Sequence, residues 1–425
     1  MGWMDRIKGA LSRKDSAVAP MIAMRNLGRP VWTSRNYRAF AKEGYSQNVV
    51  AYRCIRMIAE SAAAVPLLAY EGDAELSEHP FLKVLARPNP WQSGAELVDA
   101  LVSYFKLSGN GFLEAVSLDD EIRELYALRP DRMKAIAGRR GYPMAWEYSV
   151  DGTAKHRFDM DLMPDQQLPI LHVREFNPLD DWSGLSPVEA AAFAIDVHNA
   201  AGGYNKALLD NSAAPSGALV FEGGEDSDGA LSDEQFNRLK AQFADKHTGP
   251  ANAGKPLILE GGLKWQAMGM SPKELEFVTG KREAAREIAL AFGVPPMLLG
   301  IPGDNTYSNY QEARAALYEE TVLPLVDKIC DALSNWVQPT YEGLRIGYDV
   351  DAIEALSPRR SAIWDRVQKA DFITTDEKRE AVGYGEYKPT DTPGGTILVG
   401  AAQMPLDEIG FQPGGAAPVD PNAGA

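Results

Sequence analysis

The chain has 425 residues, 45% of them hydrophobic, which is enough for two or three domains that each bury a core. Its 43 basic and 59 acidic residues give a formal net charge of −16, the opposite sign to that of proteins that hold nucleic acid through phosphate contacts. The richest apolar stretch, 62–70, is too short to span a bilayer, and residues 3–8 are not followed by the apolar core of a signal peptide. The composition therefore predicts a soluble protein, made in the cytoplasm, that does not grip DNA.

The first third of the chain is predicted to begin with an irregular segment and to continue with two helices. Residues 1–45 mix basic residues with Gly, Pro and Asn and show no sustained hydrophobic period, which predicts a loose N-terminal arm. Apolar residues at helical spacing over 47–64 predict a helix that Pro66 stops. A capping box at 93–96 opens a second helix, which closes at 109–111.

The middle of the chain changes from strand-like to helical patterns. Residues 112–173 consist of short alternating runs broken by Gly, Pro and Asp clusters, which predicts β-strands. Ser186 as N-cap, Pro187 at the first helical position and Glu189 then predict a long helix to about Asp210. Small elements follow it: a strand at 218–221, a helix at 232–244 and a strand at 256–259.

The last third is predicted to be mainly helical. The sequence at 271–274 repeats the same capping signature, and its helix ends at Gly293. Another long helix is predicted from about 309 to 337, and Pro324 should kink or divide it. Its apolar stripe is predicted to be a packing face: Leu317, Leu325, Ile329, Leu333 and Trp336. Two shorter helices follow, one opened by Ser357-Pro358 and one over 374–383 with Thr374 and Glu377 as its capping box. No Lys or Arg follows Lys388, and the Gly-, Pro- and Ala-rich end of the chain is predicted to be disordered.

One segment partly matches a nucleotide-binding motif. Residues 249–255 fit the G-x4-G-K part of a phosphate-binding loop, but Pro256 stands where a Ser or Thr must bind Mg²⁺. A nucleotide-binding loop also runs from a strand into a helix, whereas here a helix precedes the loop and a strand follows it. The segment is better read as a turn, and a P-loop nucleotide-binding enzyme is kept as an alternative function.

No other residues form a recognisable catalytic or metal site. The histidines are scattered without metal-ligand spacing, so we expect structural or surface roles for them: His79, His156, His172, His198 and His247. Cys54 and Cys330 lie in apolar helical stretches and are predicted to be reduced, buried thiols. The sequence predicts no catalytic, cofactor-binding or metal-binding residues, and an α+β scaffold or assembly protein rather than an enzyme.

A set of short motifs occurs in a fixed order along the chain. The motifs are 50–59 with Val65-Pro66-Leu67, His79-Pro80 with 87–90, Gly109-Asn110-Gly111-Phe112, His172-Val173-Arg174 with Gly184-Leu185-Ser186-Pro187, 214–219, and 291–300 with Thr306-Tyr307-Ser308-Asn309. In order and spacing, from about 46 to 340, they resemble the phage portal protein family of the HK97 type. Gene transfer agents carry portals of this type too, and the motifs do not separate the two sources.

The resemblance implies a portal fold with a wing, a two-helix stem, a small α/β clip and a helical crown, assembled as a ring of typically twelve subunits. Carried over to this chain, the divisions are an N-terminal arm (1–45), the wing (46–185), the first stem helix (186–212), the clip (213–270), the second stem helix (271–293), the tunnel loop (294–308), a long kinked helix of the wing (309–356), the crown (357–400) and a disordered tail (401–425).

The resemblance also implies that the tunnel loop faces DNA. Its candidate DNA-facing residues are Gly300, Pro302, Gly303, Asp304, Asn305, Thr306, Tyr307 and Ser308. These residues favour turns and carry no positive charge. A channel short of basic side chains would let DNA slide without the phosphate contacts that hold it in place, which accounts for the acidic composition.

The partners implied by the resemblance are further copies of the chain, double-stranded DNA in transit without sequence specificity, the capsid protein, the terminase motor and the head–tail adaptor. Neither a membrane nor a cofactor is implied. The expected location is one vertex of a virion or phage-like particle, after assembly in the host cytoplasm. A structural protein of a phage tail or baseplate is a further alternative, which ring symmetry in electron micrographs would distinguish.

Overall fold

The computed structural model describes residues 32–384 with gaps, together with 398–399 and 404–405. The gaps are 73, 120, 139–142, 161, 163–165, 211–216, 222–233, 235–236, 242–262, 268–276, 303–306 and 371. The chain divides into two units, Met1–Thr33 and Ser34–Ala425, and every helix and strand given below belongs to the second.

Helices and antiparallel strands both contribute to the structure, as the predicted α+β class requires. The α-helices are Tyr37–Ala39, Val49–Ala63, Pro80–Ala86, Gly94–Ser108, Pro187–Ala190, Ala192–Asp210, Phe277–Phe292, Tyr307–Leu317, Leu323–Val337, Ser357–Gln368 and Thr375–Ala381. The π-helical segments are Phe40–Ser46 and Tyr318–Val322, and the 3₁₀ turns are Pro130–Arg132, Pro296–Leu299 and Glu354–Leu356.

The strands pair only with antiparallel neighbours in the part of the chain that the structure describes. In order across each three-stranded sheet they are Leu344–Tyr348, Leu67–Glu71 and Ala74–Leu76; then Glu121–Leu128, Asn110–Leu118 and Ile170–Arg174; then Met133–Ala137, Pro143–Val150 and Thr153–Asp159. Two separate pairs are Gly217–Phe221 with Leu263–Ala267 and Leu398–Val399 with Met404–Pro405.

Single capping residues determine where several of the helices begin. Ser93 and Glu96 form both hydrogen bonds of a capping box, and Thr374 and Glu377 do the same at Thr375–Ala381. The Ser186 hydroxyl accepts from the Val188 amide, so the predicted cap at this residue is confirmed. Such caps satisfy backbone N–H groups that the first helical turn leaves without partners.

The main core forms where three helices pack together. The helices Val49–Ala63, Gly94–Ser108 and Leu323–Val337 contribute nearly half of its buried side chains. The packing stripe predicted along 309–337 is confirmed, since all of its members are buried: Leu317, Leu325, Ile329, Leu333 and Trp336. A second, smaller cluster joins the two middle sheets through Phe112, Leu128, Trp146, Phe158 and Ile170.

The predicted N-terminal arm is wrong over its last part. Residues from Tyr37 onward are helical, and Phe40 is only 6% exposed within the main core. The segment Phe40–Ser46 is π-helical, with hydrogen bonds to the fifth residue along the chain. Its repeat is longer than the 3.6 residues of an α-helix, so a search for α-helical periodicity does not detect it.

Two long helices flank the segment that contains the first separate strand pair. The helix predicted from Pro187 to Asp210 is present but interrupted, because Pro187–Ala190 ends at Ala191 and Ala192–Asp210 begins after it. The predicted strand at 218–221 is confirmed within Gly217–Phe221, and its partner Leu263–Ala267 was not predicted.

Other predictions in this segment fall mostly outside the described residues. The helix predicted at 232–244 is described only at 234 and 237–241, all of which are helical. The strand predicted at 256–259, the G-x4-G-K segment at 249–255 and the cap at 271–274 lie outside the described residues.

Near the C-terminus, Leu398–Val399 pairs with Met404–Pro405, so disorder throughout 401–425 is wrong for the second of these strands. The rest of 401–425 lies outside the described residues. Of the helices that the structure describes, none combines the length and the hydropathy needed to cross a membrane.

Candidate functional site

The chain reaches the predicted DNA-facing loop through a tightly fixed turn after the helix Phe277–Phe292. Gly293 follows this helix with φ +69°, and a Cβ atom there would lie 2.6 Å from the Thr321 Oγ1. The same Thr321 hydroxyl donates to the Gly293 carbonyl across 2.6 Å. The Val294 amide bonds to the Ala289 carbonyl at 2.9 Å, and its side chain is buried. Gly293 is thus required both by its left-handed conformation and by the close hydroxyl.

The first residues of the loop are held by further hydrogen bonds. Pro296–Leu299 forms a 3₁₀ turn that ends at Gly300, which has φ +71°. The Ile301 amide bonds to the Pro296 carbonyl at 3.3 Å, and the Arg286 guanidinium donates to the Pro302 carbonyl at 2.7 Å. Arg286 therefore brings one positive charge to the base of a loop whose own residues carry none.

The eight candidate DNA-facing residues fall into three groups. Gly300 and Pro302 are exposed at the base of the loop. The next four, Gly303, Asp304, Asn305 and Thr306, lie outside the described residues. Tyr307 and Ser308 form the start of the helix Tyr307–Leu317, so their placement in the loop is wrong. Several neighbouring polar residues can act as an N-cap, so the sequence alone does not fix where this helix begins.

A buried polar cluster joins the first helix of the core to the long helix Ala192–Asp210. The Asn48 Oδ1 accepts from the Val50 and Ala51 amides at 3.1 and 3.0 Å. The Asn48 Nδ2 donates to the Asn199 Oδ1 at 3.0 Å and lies 3.2 Å from the His198 Nδ1. An amide nitrogen only donates, so the His198 Nδ1 is the acceptor and carries no proton.

The environment of His198 favours its neutral form. Burial lowers the pKa of His198, and the positive charge of Lys281 lowers it further. Lys281 belongs to the helix Phe277–Phe292, and a Cβ atom at Gly202 would lie 3.8 Å from its Nζ. The two long helices therefore pack against each other beside this cluster.

Two of the motifs from distant parts of the sequence meet at a close backbone crossing. Gly109 ends the helix Gly94–Ser108 with φ +75°. A Cβ atom at Gly184 would lie 1.9 Å from the Gly109 carbonyl oxygen. This distance is too short for any residue other than glycine. The Gly184 amide donates to the Asn110 Oδ1 at 2.8 Å. The Ser186 hydroxyl lies 2.9 Å from the Leu107 carbonyl, so the cap also ties the two segments together.

His172, from the same motif as Gly184, joins this crossing through a hydrogen bond with Asn110. Its ring stacks on Phe112 with centroids 4.3 Å apart and meets Trp146 edge-on at 4.9 Å. Burial lowers the pKa of His172 to about 3, with a further contribution from Arg174. The side chain is therefore a neutral core residue, as the scattered histidines were predicted to be.

A buried lysine lies on the other side of this crossing. Lys106 is almost fully buried and lies 3.6 Å from the Glu175 carboxylate, which Lys328 also contacts at 2.9 Å. Both ammonium groups lie over the ring of Phe105, at 5.4 and 5.1 Å from its centroid. Burial lowers the pKa of Lys106, while the charge of Glu175 opposes this effect.

The remaining candidates for chemistry have structural roles. The His79 Nδ1 accepts from the Phe81 amide and caps the helix Pro80–Ala86, and His156 is exposed on its strand. Cys54 and Cys330 are free and buried as predicted, and burial raises the pKa of each thiol to about 12. No group of three or more potential metal ligands occurs among the described residues.

A family model and a curated relative both match most of the chain. The model is described as phage portal protein and matches residues 49–383. The portal protein of Enterobacteria phage HK97 is 22% identical over 375 residues, which cover 84% of this chain and 83% of that protein.

Solved structures of higher identity match as well. A chain in the neck of an empty gene transfer agent (GTA) particle computed with C6 symmetry is 46% identical, with a TM-score of 0.67. The match covers 85% of this chain and 97% of that one. A chain in the neck of a native GTA particle computed with C12 symmetry is also 46% identical, with a TM-score of 0.64. This match covers 84% of this chain and 96% of that one. These matches, together with the fold and the meeting of the sequence motifs, show that the chain belongs to the phage portal protein family.

Proposed function

We propose that the protein forms a ring of twelve subunits at one vertex of a capsid, through which double-stranded DNA enters during packaging and leaves during ejection. The observation that carries this proposal is the 46% identity, over 84% of the chain, to a subunit of a GTA neck computed with C12 symmetry. The particle is that of a phage or a gene transfer agent.

We assign the divisions of the portal fold to this chain as the resemblance implies. Pairing of Leu67–Glu71 with Leu344–Tyr348 supports a wing composed of both 46–185 and 309–356, because the two segments share a sheet. Packing of Ala192–Asp210 against Phe277–Phe292 supports a stem made of two helices. The strand pair between them belongs to the clip, 213–270, and the helices after residue 357 belong to the crown.

The loop after Gly293 would be the tunnel loop that faces DNA. Its base is held by Thr321 and Arg286, so Gly300 and Pro302 would keep a fixed position while the DNA passes. The Arg286 guanidinium donates to the Pro302 carbonyl, so part of its hydrogen-bonding capacity is used within the same chain. A loop without basic residues avoids phosphate contacts that would slow the DNA.

In this role the protein would act as a scaffold without catalytic activity. Its partners would be the capsid protein around the vertex, the terminase motor during packaging and the head–tail adaptor afterwards. Nucleotide hydrolysis would reside in the motor and not in this chain.

Negative-stain electron microscopy of the purified protein tests the proposal. We expect class averages with twelvefold symmetry and a central channel. A protein that stays monomeric at high concentration in several salt conditions would contradict it, and so would rings of the lower symmetry typical of tail and baseplate proteins.

A further inference from the structure

One surface loop of the wing is fixed at both of its ends to the same pair of residues. At its start, the Glu175 amide donates to the Gly109 carbonyl at 2.9 Å. At its end, the Gly184 amide donates to the Asn110 Oδ1 at 2.8 Å. The Glu175 carboxylate is in addition paired with Lys328 at 2.9 Å. Residues 175–184 therefore leave and rejoin the core at a single place.

The interior of this loop is ordered by its own short-range hydrogen bonds. The Asn177 Oδ1 accepts from the Leu179 amide at 3.0 Å. The Asp180 Oδ1 accepts from the amides of Trp182 and Ser183 at 2.8 and 3.1 Å. Asn and Asp side chains that bond the backbone two or three residues ahead fix the local turn without help from the rest of the protein.

The loop nevertheless holds two large apolar side chains in solvent. Phe176 is 82% exposed and Leu179 is 92% exposed, so neither contributes to the core of its own subunit. Ordering a loop reduces its conformational entropy, and an ordered loop that presents apolar groups is prepared to bind a partner at a low further entropic cost.

A suitable receiving surface exists elsewhere on the same chain. A cavity of about 470 Å³ opens between Tyr45, Val49 and Tyr52, where the π-helix meets the first core helix. Val49 is 69% exposed and Tyr52 is 44% exposed, and the rings of Tyr45 and Tyr52 meet edge-on at 5.0 Å. We refer to these three residues as the aromatic cleft.

The charges of the two surfaces are opposite. The tip of the loop carries Asp180 and Asp181, and residues 175–184 contain no Lys or Arg. The segment around the aromatic cleft, 35–56, holds five basic residues and one acidic residue. Of these, the side chains of Lys42 and Arg53 are at least half exposed, and each also pairs with a carboxylate of its own subunit, that of Glu43 and that of Glu60. Complementary charge of this kind orients one surface on another and excludes mismatched contacts.

We propose that Phe176 and Leu179 of one subunit dock into the aromatic cleft of the next subunit around the ring. This inference rests on the proposed function. A ring with cyclic symmetry joins each subunit to the next through two different surfaces, so an exposed apolar loop requires a different, complementary site on its neighbour. The loop and the cleft supply these two surfaces.

Disulfide formation between introduced cysteines tests the contact directly. Rings assembled from the double variant Leu179→Cys with Val49→Cys are oxidised and separated by non-reducing electrophoresis. We expect a ladder of linked subunits, and linked dimers when the two single variants are mixed before assembly. Cys54 and Cys330 are buried, so they need not be removed. Intact rings of the double variant that show no linked species above the wild-type level would overturn the proposal.

Leu118→Cys with Val49→Cys is a matched control. Leu118 is also a largely exposed leucine, but it lies at the end of the strand Asn110–Leu118, away from the loop. We expect no ladder from it. If this pair is linked as efficiently as the Leu179 pair, the cysteines are meeting by random collision between subunits, and the proposal is also overturned.

The variant Phe176→Ser with Leu179→Ser measures the contribution of the loop to assembly. We expect the melting temperature of the unassembled chain to be unchanged, because both side chains are exposed. The protein concentration needed for ring formation should rise at least tenfold. Wild-type protein that never forms rings would contradict the proposed function itself. Wild-type and variant rings that form at equal concentration would contradict only the docking of this loop.

Discussion

The Nε2 of His172 and the Oδ1 of Asn110 are joined by a hydrogen bond of 2.9 Å. An amide oxygen only accepts, so Nε2 carries a proton, and burial keeps the imidazole neutral by lowering its pKa. The same oxygen accepts from the Gly184 amide at 2.8 Å. One asparagine side chain therefore connects its own strand to two sites, His172 and Gly184, that lie more than sixty residues later in the sequence.

The burial of His172 predicts a loss of stability in acid. The pKa of His172 is about 3 in the folded chain, against about 6.5 when it is unfolded. Between these values the unfolded state binds a proton that the folded state does not, so the stability falls as the pH falls. The free energy of unfolding should decrease by up to about 1.4 kcal/mol for each pH unit from this residue alone.

His172→Gln keeps an N–H donor for Asn110 but cannot titrate. Urea unfolding between pH 7 and pH 4 should therefore show a shallower pH dependence for this variant than for the wild type. His156→Gln, at an exposed histidine, is the control for the replacement of a histidine as such. Identical slopes for wild type and His172→Gln would show that His172 protonates freely in the folded chain.

The backbone crossing at Gly184 should not tolerate a side chain. A Cβ atom there would lie 1.9 Å from the Gly109 carbonyl oxygen, so Gly184→Ala must displace one of the two segments. We expect a loss of about 3 kcal/mol in the free energy of unfolding. Gly203→Ala is the control, since Gly203 lies in the helix Ala192–Asp210 with no atom within 4 Å of the added methyl. It should stabilise the chain by about 0.5–1 kcal/mol. Equal melting temperatures for the two variants would contradict the crossing.

The two members of the Lys106–Glu175 ion pair should respond unequally to substitution. Glu175→Gln leaves Lys106 buried beside the like charge of Lys328, and we expect a loss of about 2 kcal/mol, allowing for the partial exposure of Glu175. Lys106→Met keeps a similar volume in contact with Phe105 and removes the buried charge, so its cost should stay below about 1 kcal/mol. Chemical denaturation compares the two. A larger loss from Lys106→Met would show that the ion pair stabilises the fold in its own right.

Positive charge in the tunnel loop should slow DNA. We expect Asp304→Lys with Asn305→Lys to permit ring assembly and to reduce the amount of DNA packaged, because each subunit adds phosphate contacts that repeat around the ring. The defect should weaken as salt concentration rises. The control, Asp304→Ser with Asn305→Ser, shortens both side chains and introduces no positively charged group. It should package nearly normally. If normal rings of the lysine variant package DNA normally, the placement of this loop in the channel is contradicted.

The elements that the sequence predicted well are those fixed by chemistry within a few residues. The caps at Ser93, Ser186 and Thr374 each depend on one side chain and the next three amides, so a few residues of sequence are enough to predict them. The packing stripe of Leu323–Val337 follows from its 3.6-residue period.

The features that were missed depend on distant partners or on unusual geometry. The strand Leu263–Ala267 is stabilised by pairing with Gly217–Phe221, more than forty residues earlier. The meeting of His172 with Asn110 requires the pairing of two strands that the sequence does not specify by itself. The candidate DNA-facing residues came from the family resemblance, and no local pattern distinguishes their loop from an ordinary connection.

The π-helical turn Tyr318–Val322 separates two α-helices of the same continuous rod. Such a turn contains one residue more than a regular helix, as a single inserted residue would produce. Because the wide turn takes up the extra residue within a single turn, Tyr307–Leu317 and Leu323–Val337 keep about the relative rotation that a regular helix one residue shorter would give them. Relatives that lack one residue here would therefore present the predicted tunnel loop on the same side of the helix. The π-helical turn lets this helix change its length by one residue without redirecting the loop.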